Sequence, residues 1–315
     1  MPVLNGPSKL WGAHIVPTPA QVALAPADWT QLFIDWDWNG WVKPQIDAAV
    51  AAGANFIGMF GCPDGVFSSA ISQSTANSRW VQMANYCQSV GICLYPKPCG
   101  PPQLTGMTDS DIATFVLSTL NAINGLCTIL AVDIIAEANA WNDGGGNATQ
   151  HMADRCNAIF TLVAAGTSLL GTFSCTYEWN GSDCRTWMAR IGNTACNYLD
   201  FHPYAMNGWA TPVDPADVSY WESTYPGRDI IFGEGGSPQS DSIAQQNAFA
   251  NGLLYLMNGA DSLLRGWCFW AIADQGVTSS NQWGMYTNSF VARQNLYETF
   301  KWYASTRPPR RSVFL

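Results

Sequence analysis

The stretch AVDIIAEANAWN (residues 131–142) joins a buried strand to a polar end. Its first half is an apolar run, which is typical of a strand covered on both faces. The run ends in a carboxylate, Glu137, and continues into Asn139 and Trp141. Because a charge is costly to bury without a partner, we expect this strand to end at an edge of the sheet where Glu137 has a chemical role.

Similar apolar runs recur along the chain and alternate with amphipathic segments. The predicted strands are residues 10–16, 55–60, 91–97, 130–137, 169–177, 198–205, 229–234 and 266–272. The predicted helices are residues 41–52, 78–91, 109–125, 151–166, 183–192, 215–223, 241–258 and 291–304. Strands separated by helices indicate parallel pairing. Eight such units predict an α/β fold of the (β/α)8 TIM barrel type.

The competing fold is a doubly wound open sheet. That fold normally carries a glycine-rich phosphate turn after its first strand. Here the first strand leads into WGAHIVPTP, and the glycine triplet at residues 144–146 follows no strand directly. No linker or low-complexity tract divides the chain. We therefore predict a single domain over residues 1–315, with short extensions at 1–9 and 306–315.

Composition excludes several classes of partner. The 14 basic and 23 acidic residues give a net charge of −9, which argues against nucleic acid. No apolar run reaches the roughly 18 residues needed to span a membrane. The start MPVLNGPSKL lacks the regions of a secretory signal. We expect a protein that acts outside the producing cell, after signal removal or release by another route such as lysis.

Metal and cofactor chemistry leave no pattern in the sequence. The ten cysteines form no CxxC pair, and the three histidines give no zinc-ligand spacing. P-loop, GxSxG and HExxH motifs are not present either. We predict no cofactor and no metal. The cysteines are predicted to be buried thiols, with Cys62–Cys99 or Cys175–Cys184 as alternatives in an oxidising compartment.

The ends of the predicted strands carry the candidate site. In a (β/α)8 barrel these ends and the loops that follow build the active site. Glu137 ends the fourth predicted strand, His202 and Tyr204 share a face at the end of the sixth, Glu234 ends the seventh, and Trp270 lies near the end of the eighth. Glycoside hydrolysis needs two carboxylates of different protonation state. Tryptophan rings suit the apolar faces of a sugar.

The motifs IIAEAN, DFHPYA, IIFGEGG and GWCFWAIAD resemble those of the retaining glycoside hydrolases of (β/α)8 fold, a superfamily that includes cellulases, β-mannanases and β-xylosidases. The resemblance implies cleavage of a β-linked polysaccharide or oligosaccharide by retaining double displacement. It implies that Glu137 is the acid/base and Glu234 the nucleophile. It also implies that Tyr204 hydrogen-bonds the nucleophile and that Trp270 forms the floor of a sugar subsite. Asn139, Trp141 and His202 are further predicted substrate contacts.

The chain departs from this superfamily at two positions. Ala136 stands where an asparagine usually precedes the acid/base, and Gly58 stands where the members nearest to cellulases carry an arginine. These departures motivate a second hypothesis, a glycan-binding barrel with weak or no catalysis. Such a barrel could recognise a cell surface from a virus particle, for example as part of a phage tail.

Other readings compete for individual residues. Glu137 could instead pair with Arg155 or Arg185, and Glu178 at the end of the fifth predicted strand is a rival catalytic residue. Asp35 and Asp37 are interpreted as helix-capping or solvated. The tryptophans in predicted loops are expected to contribute in part to a binding groove; besides Trp141, they are Trp179, Trp209 and Trp283.

Overall fold

The computed structural model describes residues 4–25, 27–141, 149–177, 181–191, 196–204, 215–237, 241–257, 263–274, 282–293, 298, 300–301 and 305. Within these ranges no helix combines the length and apolar character needed to cross a membrane.

The strands of the described ranges form parallel sheets. They are β1 (Leu10–His14), β2 (Phe56–Phe60), β3 (Cys93–Lys97), β4 (Val132–Asp133), β5 (Gly171–Thr172), β6 (Cys175–Tyr177), β7 (Leu199–Pro203), β8 (Ile230–Phe232) and β9 (Leu264–Phe269). One sheet has seven strands in the order β3-β2-β1-β9-β8-β7-β6, and a second pairs β4 with β5. Every pair is parallel. The predicted α/β class is confirmed.

Helices connect and cover the strands. They are α1 (Pro19–Val22), α2 (Asp28–Ile34), α3 (Lys43–Ala51), α4 (Pro63–Phe67), α5 (Gln73–Val90), α6 (Asp109–Ile123), α7 (Gln150–Gly166), α8 (Gly181–Ile191), α9 (Pro215–Thr224) and α10 (Ile243–Met257). The predicted end of α5 is confirmed, because Gly91 adopts the left-handed conformation (φ 74°) that favours glycine after a helix. The helix predicted over 291–304 lies mostly outside the described residues.

Two predicted strands differ from their expected form. The run 169–177 is interrupted at Phe173 and Ser174, so it yields both β5 and β6. Within the run 130–137, only the two residues of β4 form regular strand pairing. Isolated parallel bridges flank it, from Leu94 to Ile129 and from Cys99 to Ile135. These bridges place the segment of β4 beside β3.

The apolar core has two parts. The larger part lies between the sheets and the helices. The smaller part collects side chains from many strands, including Leu10, Phe56, Tyr95, Tyr198 and Cys268. All five are completely or almost completely buried. Side chains therefore fill the inner face of the curled sheet and leave its carboxyl end for polar groups.

Candidate active site

Glu234 lies just beyond β8 and is almost fully buried, with 3% of its side chain exposed. The phenol of Tyr204 donates a hydrogen bond of 2.6 Å to Oε2 of Glu234. Lys97 Nζ lies 3.2 Å from Oε1, and Nε2 of His14 lies 3.9 Å from the same oxygen. A buried carboxylate therefore has one firm hydrogen-bond donor and one close cation.

The glycines around Glu234 allow neighbouring groups to approach closely. A Cβ atom on Gly233 would lie 2.2 Å from a carboxylate oxygen of Asp200, and one on Gly235 would lie 2.7 Å from the carbonyl oxygen of Pro203. The Gly233 N–H donates to Asp200 at 2.7 Å. Larger residues at either position would displace β7 from the site.

Glu137 follows β4 in a different conformation. Its backbone is left-handed (φ 55°), and its N–H donates to the Ser174 hydroxyl at 2.7 Å. Its side chain is 30% exposed, and Oε1 lies 3.1 Å from Nδ1 of His202. The alternative partners are engaged elsewhere, because Arg155 pairs with Asp109 and Arg185 pairs with Asp217.

The two glutamates meet, although 97 positions of sequence separate residues 137 and 234. One carboxylate oxygen of each, together with a ring nitrogen of His202, lie within 4.8 Å of one another. Nδ1 of His202 is also 3.5 Å from Oε2 of Glu234. The imidazole therefore lies against both carboxylates.

A buried lysine lies behind this pair. Lys97, the last residue of β3, is fully buried; its Nζ lies 3.1 Å from Asp133, 3.7 Å from Asp200 and 2.9 Å from Nε2 of His202. Burial would lower the pKa of Lys97, but Glu234, Asp200 and Asp133 raise it above its usual value. Lys97 is therefore an ammonium.

The two aspartates respond differently to the same environment. Burial raises the pKa of Asp133, although the Lys97 ammonium opposes this. Burial acts on Asp200 in the same direction, but the Lys97 ammonium and the Tyr95 hydroxyl hold the pKa of Asp200 below its usual value. Asp200 is therefore the more firmly ionised of the two.

Burial also determines the state of two other groups. Burial and the carboxylates of Glu234 and Glu137 raise the pKa of Tyr204 well above its usual value, so the phenol keeps its proton. Burial and the Lys97 charge lower the pKa of His14 well below 6.5. His14 is therefore neutral, and its Nε2 is 3.0 Å from the carbonyl oxygen of Gly233.

Aromatic rings border the carboxylates. Trp270 is half-buried, and its ring centroid lies 5.0 Å from that of His14 and 6.0 Å from that of Phe60. The Trp270–Ala271 peptide bond is cis. Trp283, also half-buried, meets the Tyr204 ring edge-to-face at 5.4 Å. Trp270 and Trp283 thus keep part of their surface available beside the site.

Asn139 and Trp141 are held within the protein. The Asn139 amide accepts from the Thr176 N–H at 2.9 Å and donates to the Thr176 hydroxyl at 2.8 Å. Trp141 is 3% exposed, and the Arg155 guanidinium lies 4.4 Å from its ring centroid. We therefore leave both residues out of the proposed substrate contacts.

The other candidates are placed as follows. Asp37 accepts from the Gly40 N–H at 2.8 Å at the start of a helical turn, which confirms its capping role. Asp35 pairs with the Gln31 side chain. The ten cysteines, all within the described ranges, form no disulfide, and Sγ of Cys175 donates a hydrogen bond of 2.9 Å to Sγ of Cys184. Glu178, Trp179 and Trp209 lie outside the described residues.

Four groups at the site were missed by the sequence reasoning: His14, Lys97, Asp133 and Asp200. Lys97 ends an apolar run, which is the same signal that singled out Glu137. Asp133 and Asp200 interrupt apolar runs. A charge in such a run is rare unless it has a partner.

A metal ion would have to compete with Lys97. Asp133, Asp200 and His202 offer ligand atoms within 4.8 Å of one another. However, the Lys97 ammonium is in direct contact with Asp133 and His202. The lysine therefore supplies the positive charge that this group of side chains requires.

The described residues are similar in fold to solved structures of TIM-barrel glycoside hydrolases. A GH5_18 protein from Streptomyces cattleya, in complex with Manb1-4GlcNAc, has a TM-score of 0.70 at 13% identity and covers 96% of this chain and 82% of its own. An exo-beta-1,4-mannosidase from Opitutaceae bacterium strain TAV5 has a TM-score of 0.67 at 16% identity, covering 94% of this chain and 59% of its own. A beta-glycosidase has a TM-score of 0.67 at 12% identity, covering 96% of this chain and 98% of its own.

These identities are low, so the similarity concerns the fold. No protein-family model and no curated protein matches the sequence.

Proposed function

We propose that this protein is a retaining glycoside hydrolase acting on β-linked sugars, with Glu234 as nucleophile and Glu137 as acid/base. The observation that supports the proposal is the distance between the two carboxylates. One oxygen of Glu137 and one oxygen of Glu234 lie within 4.8 Å of each other. Carboxyl groups separated by about 5 Å suit direct attack on the sugar, whereas inverting enzymes keep about 6.5–9.5 Å for a water molecule.

The difference in exposure supports this division of roles. In the first step Glu234 attacks the anomeric carbon while Glu137 gives its proton to the departing oxygen. In the second step Glu137 takes a proton from water, and the resulting hydroxide displaces Glu234. Glu137, at 30% exposure, can reach the leaving group and solvent, while Glu234, at 3%, is held by Tyr204.

We further infer that the chain forms one domain in which the sheet closes into an eight-stranded barrel. The bridges from Leu94 to Ile129 and from Cys99 to Ile135 join the β4 segment to β3. On its other side, β4 pairs with β5. The interrupted run that gives β5 and β6 counts as a single barrel strand.

The test is a panel of aryl β-glycosides and β-linked polysaccharides. β-Mannosides, β-glucosides and β-glucuronides come first, because the structural neighbours include a mannosidase, a β-glycosidase and a β-glucuronidase. We expect reducing ends from the wild type, with the β-anomer formed first in proton NMR. Glu234→Ala and Glu137→Ala should lower turnover by several orders of magnitude. An α-anomer as first product, or unchanged turnover in both variants, would contradict the proposal.

The second candidate is a glycan-binding barrel without catalysis. It is favoured by Ala136, which is fully buried and offers no side-chain amide beside Glu137. The same panel distinguishes the two candidates. A glycan-binding barrel would bind a polysaccharide, and so migrate more slowly in its presence, without releasing reducing ends. The virus-particle hypothesis is tested separately, by asking whether the neighbouring genes encode tail or capsid proteins.

A further inference from the structure

Lys97 is a buried charge that the double-displacement scheme does not use. It is fully buried at the end of β3, where it contacts Glu234 directly and also contacts His202, the neighbour of Glu137. An isolated buried ammonium would carry a large desolvation cost. Its contacts must therefore be strong enough to keep it charged.

Nζ of Lys97 has hydrogen-bond acceptors and carboxylates around it. An ammonium has three N–H groups and no acceptor. Nζ donates to Oδ2 of Asp133 at 3.1 Å and contacts Nε2 of His202 at 2.9 Å. Oε1 of Glu234, at 3.2 Å, forms an ion pair with it. Asp200 adds a third favourable charge at 3.7 Å.

This arrangement determines the state of His202. Two cationic groups cannot share a contact of 2.9 Å, because each would direct a hydrogen at the other. Burial and the Lys97 charge lower the pKa of His202, but Glu234 and Asp200 raise it to about 10. The neighbouring carboxylates alone would therefore leave His202 protonated, whereas an ammonium 2.9 Å from Nε2 leaves that nitrogen only the role of acceptor. The direct contact decides, so the imidazole is neutral and carries its hydrogen on Nδ1. That hydrogen is donated to Oε1 of Glu137 at 3.1 Å. The other oxygen of Glu137 is then the one that carries the acidic proton.

We propose that Lys97 is a positioning residue that sets both glutamates at once: its ammonium stabilises ionised Glu234 directly and, by fixing the His202 tautomer, selects which oxygen of Glu137 is protonated. This inference rests on the proposed function. Lys97 touches no reacting atom of the sugar in this scheme, so it acts through Glu234 and His202.

The charged and titratable groups that face Lys97 come from several strands. They are His14 of β1, Asp133 of β4, Asp200 and His202 of β7, Glu234 after β8 and Cys268 of β9. His14 is neutral, and burial raises the pKa of Cys268 well above its usual value. The net field at Lys97 is therefore negative.

The first experiment measures the histidine tautomer without any substrate. Ring nitrogens that carry a hydrogen are resolved from those that do not in ¹⁵N NMR spectra of histidine-labelled protein. The chain has three histidines, so His14→Gln and His151→Gln assign the spectrum. We expect one protonated and one unprotonated nitrogen for His202 at neutral pH. An imidazolium, with both nitrogens protonated, would overturn the proposal.

The second experiment compares Lys97→Met with Lys97→Arg, using the aryl β-glycoside that the wild type turns over best. We expect Lys97→Met to lower kcat by on the order of 100-fold, with a smaller change in KM. The acidic limb of its kcat/KM profile should move to higher pH, because the ammonium 3.2 Å from Oε1 of Glu234 has been removed. Lys97→Arg should restore the wild-type limb, at least in part.

Lys43→Met is the matched control, because Lys43 is a partly exposed lysine paired with Asp47 on α3. Its pH profile should equal that of the wild type. An unmoved acidic limb in folded Lys97→Met would overturn the proposal. If Lys97→Met does not fold, the histidine spectrum of the wild-type protein still tests the proposal. If the protein turns over no substrate of the panel and His202 is neutral, the glycosidase assignment is wrong. The pairing of Lys97 with His202 would then still stand.

Discussion

Buried charges are balanced at the amino end of the sheet and unbalanced at its carboxyl end. At the amino end Arg265 of β9 pairs with Asp229, which also accepts from the Leu4 N–H at 2.8 Å. The same arginine donates to the carbonyl oxygen of Ser8 at 2.8 Å. One cation there meets one anion, and both are hydrogen-bonded to backbone as well. At the carboxyl end a single lysine faces several carboxylates: Asp133, Asp200 and Glu234, with Glu137 beyond His202.

The difference distinguishes an ion pair that stabilises the fold from a group of charges that serves the proposed reaction. In (β/α)8 barrels, which this parallel sheet resembles, features at the amino end serve stability and those at the carboxyl end serve chemistry. A balanced and well-bonded pair fits the first role. An excess of buried negative charge costs stability, and a protein keeps such a cost where function requires it. The comparison therefore predicts opposite effects of substitutions at the two ends.

The largest effect is expected for Glu234→Gln at the carboxyl end. Loss of the nucleophile should lower kcat/KM by about 10⁴-fold or more. The free energy of unfolding should stay the same or rise, since one of the crowded negative charges is removed. Aryl β-glycoside kinetics and urea unfolding measure the two quantities. A clear loss of stability would mean that this end is not under electrostatic strain.

The next largest effect is expected for Arg265→Met at the amino end. Removal of one partner leaves Asp229 buried and unpaired, so the free energy of unfolding should fall by about 3–5 kcal/mol. The protein that remains folded should keep its kcat. The double variant with Asp229→Asn serves as control and should be more stable than the single variant. A drop in kcat without a drop in stability would reverse the assignment of the two ends.

A smaller effect is expected for Tyr204→Phe. It removes one hydrogen bond to a charged oxygen, worth about 1.5–3 kcal/mol, so kcat/KM should fall by roughly 10- to 150-fold. Tyr86→Phe is the matched control, because the Tyr86 hydroxyl bonds Asp47 away from the site. Equal effects in the two variants would argue that the loss at Tyr204 is not specific to Glu234.

The polar residues at the ends of the predicted strands were enough to predict those parts of the site that lie within a single motif. Glu137 and Glu234 end apolar runs, and His202 and Tyr204 share a face by the alternation of a strand. Each of these signals is local. The structure brings all four side chains together around the pair of glutamates.

The missed parts depend on contacts between strands. Lys97 gains its role from Asp133 on β4 and His202 on β7, and a single sequence does not give the register that joins them. Asn139 was predicted as a sugar contact, but its amide is hydrogen-bonded to Thr176. Thr176 lies in β6, which is separated from β5 by an interruption of the predicted strand 169–177 that the apolar pattern did not indicate.

The smallest effect concerns the pH dependence of stability. Because burial and Lys97 lower the pKa of His14 below 6.5, the unfolded chain binds a proton that the folded chain does not. Stability that is complete above pH 6.5 is therefore lost as the pH falls, by about 1.4 kcal/mol per pH unit. His14→Gln should show a slope shallower by about one proton between pH 6.5 and about 5.5. Arg265 at the amino end does not titrate in this range, so a slope that survives in His14→Gln would have to come from other groups at the carboxyl end.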